Sequence, residues 1–209
     1  NLSVQRSKSN GISISESSNC ALTNCIISDN AHCGLIVNHT TLTIESINFT
    51  DNGYSAIHSV GSKFKVSNCT ISRNKKGGII SADNSKLIVE KCQLDHNGWA
   101  ALLTENGSKI KATNITLSNN NVAVVNMGKA TLQNCKINGQ SGIGLQTLGK
   151  LKVKESNLND NGTAIIASSQ TGRAIVSNST FVSNVLNIEV TNGALLEMTD
   201  IQISQSKGE

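Results

Sequence analysis

The sequence contains no proline, one tryptophan, one tyrosine and three phenylalanines among its 209 residues. Aromatics at 2% exclude a globular core built around large rings, although 37% apolar residues can fill a narrow interior with rows of small aliphatic side chains. A chain with many turn signals and no proline suits an architecture in which every turn hands its backbone groups to the next. No apolar run is long enough to span a membrane. No C-x-x-C pair offers a zinc site. The four histidines, His32, His39, His58 and His96, share no register, so no triad or metal set is built from them and each reads as a surface or turn residue. Charge of neither sign dominates: 18 basic and 14 acidic residues leave +4, which by itself points to no partner. The chain opens on Asn1 and shows no signal peptide; it reads as one domain over residues 1–209, excised from a longer protein.

What is present is a repeat. The stretch SKLIVEKCQLDHNGWAALLTENG (85–107) recurs along nearly the whole chain. With Asn97 as reference, Asn10, Asn30, Asn52, Asn74, Asn97, Asn120, Gln140, Asn161, Asn184 and Ser206 follow one another at intervals of 20 to 23 residues. A fixed period of this length is the mark of a solenoid. Four apolar registers precede each reference residue, as in Leu87, Val89, Cys92 and Leu94, alternating with polar residues at period two except for one extra residue between the second and third. That is strand patterning with a bend in it. After the reference residue a small residue opens another short strand, as in Gly78-Ile79 and Ala101-Leu102. The expectation is an all-β, single-stranded parallel β-helix of about nine coils, with three short strands per coil stacked at the ~4.8 Å sheet spacing. Coils 120–149 are shorter by two or three residues, and the helix is expected to tighten there.

The asparagine row is expected to be the bend itself, because asparagine tolerates left-handed backbone angles. Its amides, stacked one above another, can chain hydrogen bonds along the axis. Cys25, Cys69, Cys92 and Cys135 occupy one inward register and behave as small hydrophobes; all six thiols are expected to be unpaired, since stacked parallel side chains give poor disulfide geometry. Buried reduced thiols favour an intracellular setting. The sequons at Asn38, Asn48, Asn68, Asn106, Asn114, Asn161 and Asn178 point the other way but arise by chance in a chain this rich in Asn, Ser and Thr.

The N-G-x-x-A-[IL] turns, the inward asparagine row and strands such as SKLIVEKCQL resemble the right-handed parallel β-helix repeats of pectate-lyase-like proteins, over essentially all 209 residues. The resemblance implies a fold and, among several activities, polysaccharide lyases, glycoside hydrolases, epimerases, adhesins and intracellular repeat domains; for the secreted members it implies an extracellular location. It also implies that enzymes of this kind wall a cleft with long turn insertions and place there acidic residues, calcium and an Arg or Lys base. This chain has almost no insertions, so its walls are low.

Two candidate sites stand out. Asp29 and Asp51, one position before consecutive reference residues, would stack ~5 Å apart, a separation able to hold Ca²⁺ or to serve as a retaining carboxylate pair; the bland alternative is a solvated outward row with Asp51 near Arg73. Eleven positions before the reference, Lys63, Lys86, Lys109, Lys129, Lys150 and Arg173 offer a cation at one place in six consecutive coils, and Lys65, Lys111 and Lys152 add a broken second row. These lysines are either a solubility device at the turn entrance, with Glu90 and Glu45 partly neutralising them, or a track for an anionic polymer. Without interleaved aromatics, nucleic acid is disfavoured against an acidic polysaccharide. The reading is thus a non-catalytic β-helix scaffold or binding domain for an acidic polysaccharide, another polyanion or a protein, with a carbohydrate-active enzyme as the alternative.

Overall fold

The computed structural model describes residues 2–16, 19–105 and 107–205. Asn106 and Ser206, read above as a sequon and as the last reference position, lie outside them. Every strand pairing is parallel, and each strand pairs with its equivalent one coil away. One coil runs through Lys86–Glu90, Gln93–Asp95 and Ala100–Thr104. The first and second strands of successive coils form a bent 17-stranded sheet, and the third strands form a 9-stranded sheet. The protein is therefore the all-β parallel solenoid that its repeat implies.

The core is a set of files, one residue per coil. Ile44, Val66, Val89, Ala112, Leu132, Val153 and Val176 make one; Phe49, Ile71, Leu94, Leu117, Ile137, Leu158 and Phe181 make another, all at most 1% exposed. The third strands add an inward row that is polar: Ser59, Ser81, Thr104, Asn126 and Thr147 are fully buried. This row is only partly hydrogen-bonded: Ser59 Oγ pairs with Ser85 Oγ at 3.0 Å and Asn126 Nδ2 donates to Thr147 Oγ1 at 2.9 Å, while Ser81 Oγ, Thr104 Oγ1 and Asn126 Oδ1 are buried without a partner among the described residues, a departure from the usual pairing of buried polar groups.

Two left-handed corners recur along the coils, of which the one at the asparagine row differs from the sequence-based expectation. The left-handed residue is not the asparagine but the one before it: Asp29, Asp51, Arg73, His96, Asn119, Gly139, Asp160 and Ser183 all have φ between 51° and 68°. The extra residue between the second and third apolar registers is a second left-handed corner, carried by Asn24, Ser46, Asn68, Lys91, Asn114, Asn134, Glu155 and Asn178. With the turning done by its neighbour, the asparagine side chain is free to point inward. Asn52 Nδ2 donates to Asn74 Oδ1 at 2.8 Å, and Asn52 Oδ1 accepts from both Asn30 Nδ2 and the Asn30 backbone N–H. The same pattern continues from Asn74 to Asn97 and from Asn97 to Asn120. Gln140 takes its place in the row, accepting from Asn120, and Asn161 bonds Asn184 at 2.9 Å.

The first coil is registered differently from the expectation. Leu2 pairs with Cys25 and Gln5 with Ser28, so Ser7, whose N–H donates to Asn30 Oδ1, holds the reference position; Asn10 lies three residues further on, with its Oδ1 accepting from the Cys33 N–H. The short coils lose their residues in the turns alone. The turn between Ala100–Thr104 and Lys109–Thr113 spans four residues, and the next, between Val122–Asn126 and Lys129–Gln133, spans two. The strands keep their register across the change, so the rows of side chains stay aligned. All six cysteines are free, five of them buried. The hydrogen bond with the neighbouring Cys69 thiol, together with burial, pushes the Cys92 thiol well above its ordinary range, so it stays protonated and inert.

Candidate functional site

The first strand of each coil alternates inward apolar and outward polar residues, as in Lys63–Ser67, where Phe64 and Val66 are buried and Lys63 and Lys65 are exposed. Parallel pairing without slippage carries this alternation from coil to coil. Lys63 pairs with Lys86, Lys86 with Lys109, Lys109 with Lys129, Lys129 with Lys150, and Lys150 with Arg173. Two residues on, Lys65, Ile88, Lys111, Thr131 and Lys152 form the second outward row. Between the rows runs a groove of about 730 Å³, bounded by Lys63, Lys65, Lys86, Lys109, Lys111 and Lys129, with Ile88 on its floor.

The acids are not where they would cancel this charge. Glu90 binds Lys65 Nζ at 2.8 Å, in the second row; that hydrogen bond raises the Lys65 pKa and lowers that of Glu90. Glu45 accepts from Asn68 Nδ2 at 3.1 Å, and its charge, more weakly than that of Glu90, also raises the Lys65 pKa, so both acids act on the second row. At the far end Glu197 pairs with Arg173. Lys63, Lys86, Lys109, Lys129 and Lys150 have no acidic partner among the described residues. Two like charges ~4.8 Å apart in water repel by about 0.9 kcal/mol before salt screening. The row gains nothing from its own alignment.

Asp29 and Asp51 stand in adjacent coils at the left-handed corner after the second strand, ten residues beyond the lysine register and outside the groove. Asp51 is held on both oxygens by Arg73, Nε to Oδ1 at 2.9 Å and Nη2 to Oδ2 at 2.7 Å. The Arg73 hydrogen bond lowers the Asp51 pKa. Asp29 accepts from Ser28 Oγ at 2.9 Å. The same side holds a carboxylate that the sequence did not single out. Asp95 is bonded by His96 Nδ1 at 2.6 Å, Ser118 Oγ at 2.7 Å and Asn119 Nδ2 at 3.0 Å. Burial would raise its pKa, but these donors more than offset that and lower it. No group of three or more His, Cys, Asp or Glu able to hold a metal occurs among the described residues.

His58 is a surface residue as expected, half-buried on the outer face of the 9-stranded sheet, and with Tyr54 and Trp99 it lines a second hollow of about 620 Å³. No helix among the described residues is long and apolar enough to cross a membrane.

A family model described as right handed beta helix region matches residues 10–149, more than half of the chain. A search of curated proteins gives no match. Among solved structures, the crystal structure of an alginate lyase from Paenibacillus sp. str. FPU-7 is similar, with a TM-score of 0.69 and 10% identity, covering 99% of this chain and 98% of that one. At that identity the likeness is one of fold.

Proposed function

This chain belongs to the right-handed β-helix family, and we propose that it is a non-catalytic member that binds an acidic polysaccharide along the lysine groove. The observation that carries the reading is the unbroken in-register file from Lys63 to Lys150, without acidic partners among the described residues, of which Lys63, Lys86, Lys109 and Lys129 line one groove. A polymer carrying one carboxylate per sugar offers a charge at roughly every coil's rise of ~4.8 Å, so each coil adds a contact while the ordering cost is shared. The alginate lyase of like fold is named for such a polymer, which makes a polyuronate the natural probe. Against catalysis, the carboxylates at Asp29 and Asp51 stand outside the groove, and Arg73 occupies both oxygens of Asp51.

The test is titration of alginate and polygalacturonate at low and high salt. Binding should weaken steeply as salt rises. Changing Lys86, Lys109 and Lys129 together to Gln should weaken it at least roughly a hundredfold, about 1 kcal/mol per contact, whereas Lys8, Lys91 and Lys136 changed together to Gln should not. Equal losses in the two triple variants, or no binding at low ionic strength, overturns the groove. Unsaturated uronate products absorbing in the ultraviolet would overturn the non-catalytic half and make the chain a lyase.

A further inference from the structure

The two sheets treat their outer faces in opposite ways. On the 9-stranded sheet three consecutive outward positions are apolar and close-packed: Ile80, Leu103 and Val125 are 8%, 6% and 2% exposed, although they face away from the coil interior, and Ala100 and Val122 pack with them. Ile80 and Leu103 of this cluster floor the second hollow.

Its walls follow from the repeat. Tyr54, Lys76 and Trp99 occupy one register in three consecutive coils, tied by Lys76 N–H to the Tyr54 carbonyl at 3.0 Å and Trp99 N–H to the Lys76 carbonyl at 2.9 Å. The two rings thus stand two coils apart, about 9.6 Å along the axis. Asn52-Gly53 and Asn97-Gly98 set them there: a Cβ on Gly98 would lie 1.9 Å from the Lys75 carbonyl oxygen, so only glycine lets the coils approach and fixes the following aromatic. Four residues further along each coil come His58, Ile80 and Leu103 on the floor. The opposite wall holds Asp83 and Glu105.

We infer that this hollow is a binding site for a neutral sugar ring, laid against Tyr54 and Trp99 over the apolar floor, with its hydroxyls toward Glu105, Asp83 and His58. A pyranose has an apolar C–H face and a rim of hydroxyls, which matches a site of aromatic wall, aliphatic floor and convergent polar groups. Two acids against Lys76 leave the hollow negative, because burial keeps His58 neutral. That balance repels the polyanion suited to the lysine groove, so the two sites sort ligands by charge. The neutral imidazole can also both donate and accept.

Trp99 is the chain's single tryptophan, so its emission reports this hollow directly. Titrating the protein with cellohexaose and mannohexaose should give a saturable change in that emission. Tyr54→Ala should weaken it at least roughly tenfold and Tyr54→Phe should preserve it; both side chains being some 40% exposed, at 39% and 42%, the variants should melt as the parent does. Calorimetry on Trp99→Ala should show the same loss. The Lys86, Lys109 and Lys129 triple variant should leave these titrations unchanged, which separates this site's fate from that of the groove. No saturable change with either neutral hexasaccharide, or equal affinity in the Tyr54→Ala protein, would overturn the inference.

Discussion

The inward file of asparagines and the outward file of lysines have one geometry and opposite chemistry. Both repeat once per coil at the same ~4.8 Å rise. An amide carries donors and an acceptor, so each asparagine satisfies the next: Asn74 Oδ1 accepts from Asn52 while Asn74 Nδ2 donates to Asn97. An ammonium has donors only, so stacked lysines cannot satisfy one another and can only repel. Stacking inside the coil stabilises the fold unaided, whereas stacking outside stores a repulsion that an anionic ligand would relieve. The contrast makes one file structural and leaves the other available for binding.

The largest effect should come from breaking the inner file. Asn97→Leu keeps the branching at Cγ but removes the acceptor for Asn74 and the donor to the Ile71 carbonyl and to Asn120. Leaving several buried groups without partners should cost about 3 to 5 kcal/mol, read as a lowered Tm. Leu94→Ala, in the neighbouring apolar file and fully buried, should cost about 2 to 5 kcal/mol. Thermal melts showing either variant at parental stability would end the view that inward files hold the coils together.

Breaking the outer file should act with the opposite sign. Changing Lys86, Lys109 and Lys129 to Gln removes like-charge neighbours and should raise stability in low salt by up to about 1 kcal/mol, with the gain vanishing near 1 M salt. Added polyuronate should stabilise the parent and not the variant. A variant less stable than the parent in low salt would show that the lysine stems hold the sheet, and the contrast between the files would fail.

Much of the coil was legible in the sequence because its signals are local and repeated. Residue types recurring in one register, such as Val66, Val89 and Ala112, mark the inward positions, and the odd spacing between Val89 and Cys92 marks the corner filled by Lys91. Which residue turns the corner at the asparagine row was not legible: Asp51, Arg73 and His96 share no side-chain property, since the corner constrains φ and leaves the side chain in solvent. The lysine file was visible as a register, and pairing stacked it in order, with Lys63, Lys86, Lys109 and Lys129 along one groove. The aromatic hollow was not, because Tyr54 and Trp99 are separated by Lys76 in their register and each alone reads as a turn residue. Its floor is hidden too: outward Ile80 and Leu103 follow inward Ile79 and Leu102, so the run looks like core throughout.

The smallest effect concerns the corner acids, which sit between the two files in character. Asp51 and Arg73 are stacked like the files but of opposite sign, so they attract where the lysines repel. Arg73 lowers the Asp51 pKa in the folded chain. A carboxyl with a depressed folded pKa contributes stability above its unfolded value of about 3.9 and loses it as pH falls through the lower folded value. The pair is exposed, at 60% and 40% for the two side chains, so water and salt screen it and its share is slight. Arg73→Gln should therefore lower the Tm marginally at pH 7, and the difference should shrink as pH falls below the unfolded value and Asp51 takes up its proton. The same substitution at pH 7 in about 1 M salt should be neutral. A loss that does not shrink with falling pH would mean that Arg73 acts through its backbone corner, with φ of 53°, and that the ion pair contributes nothing.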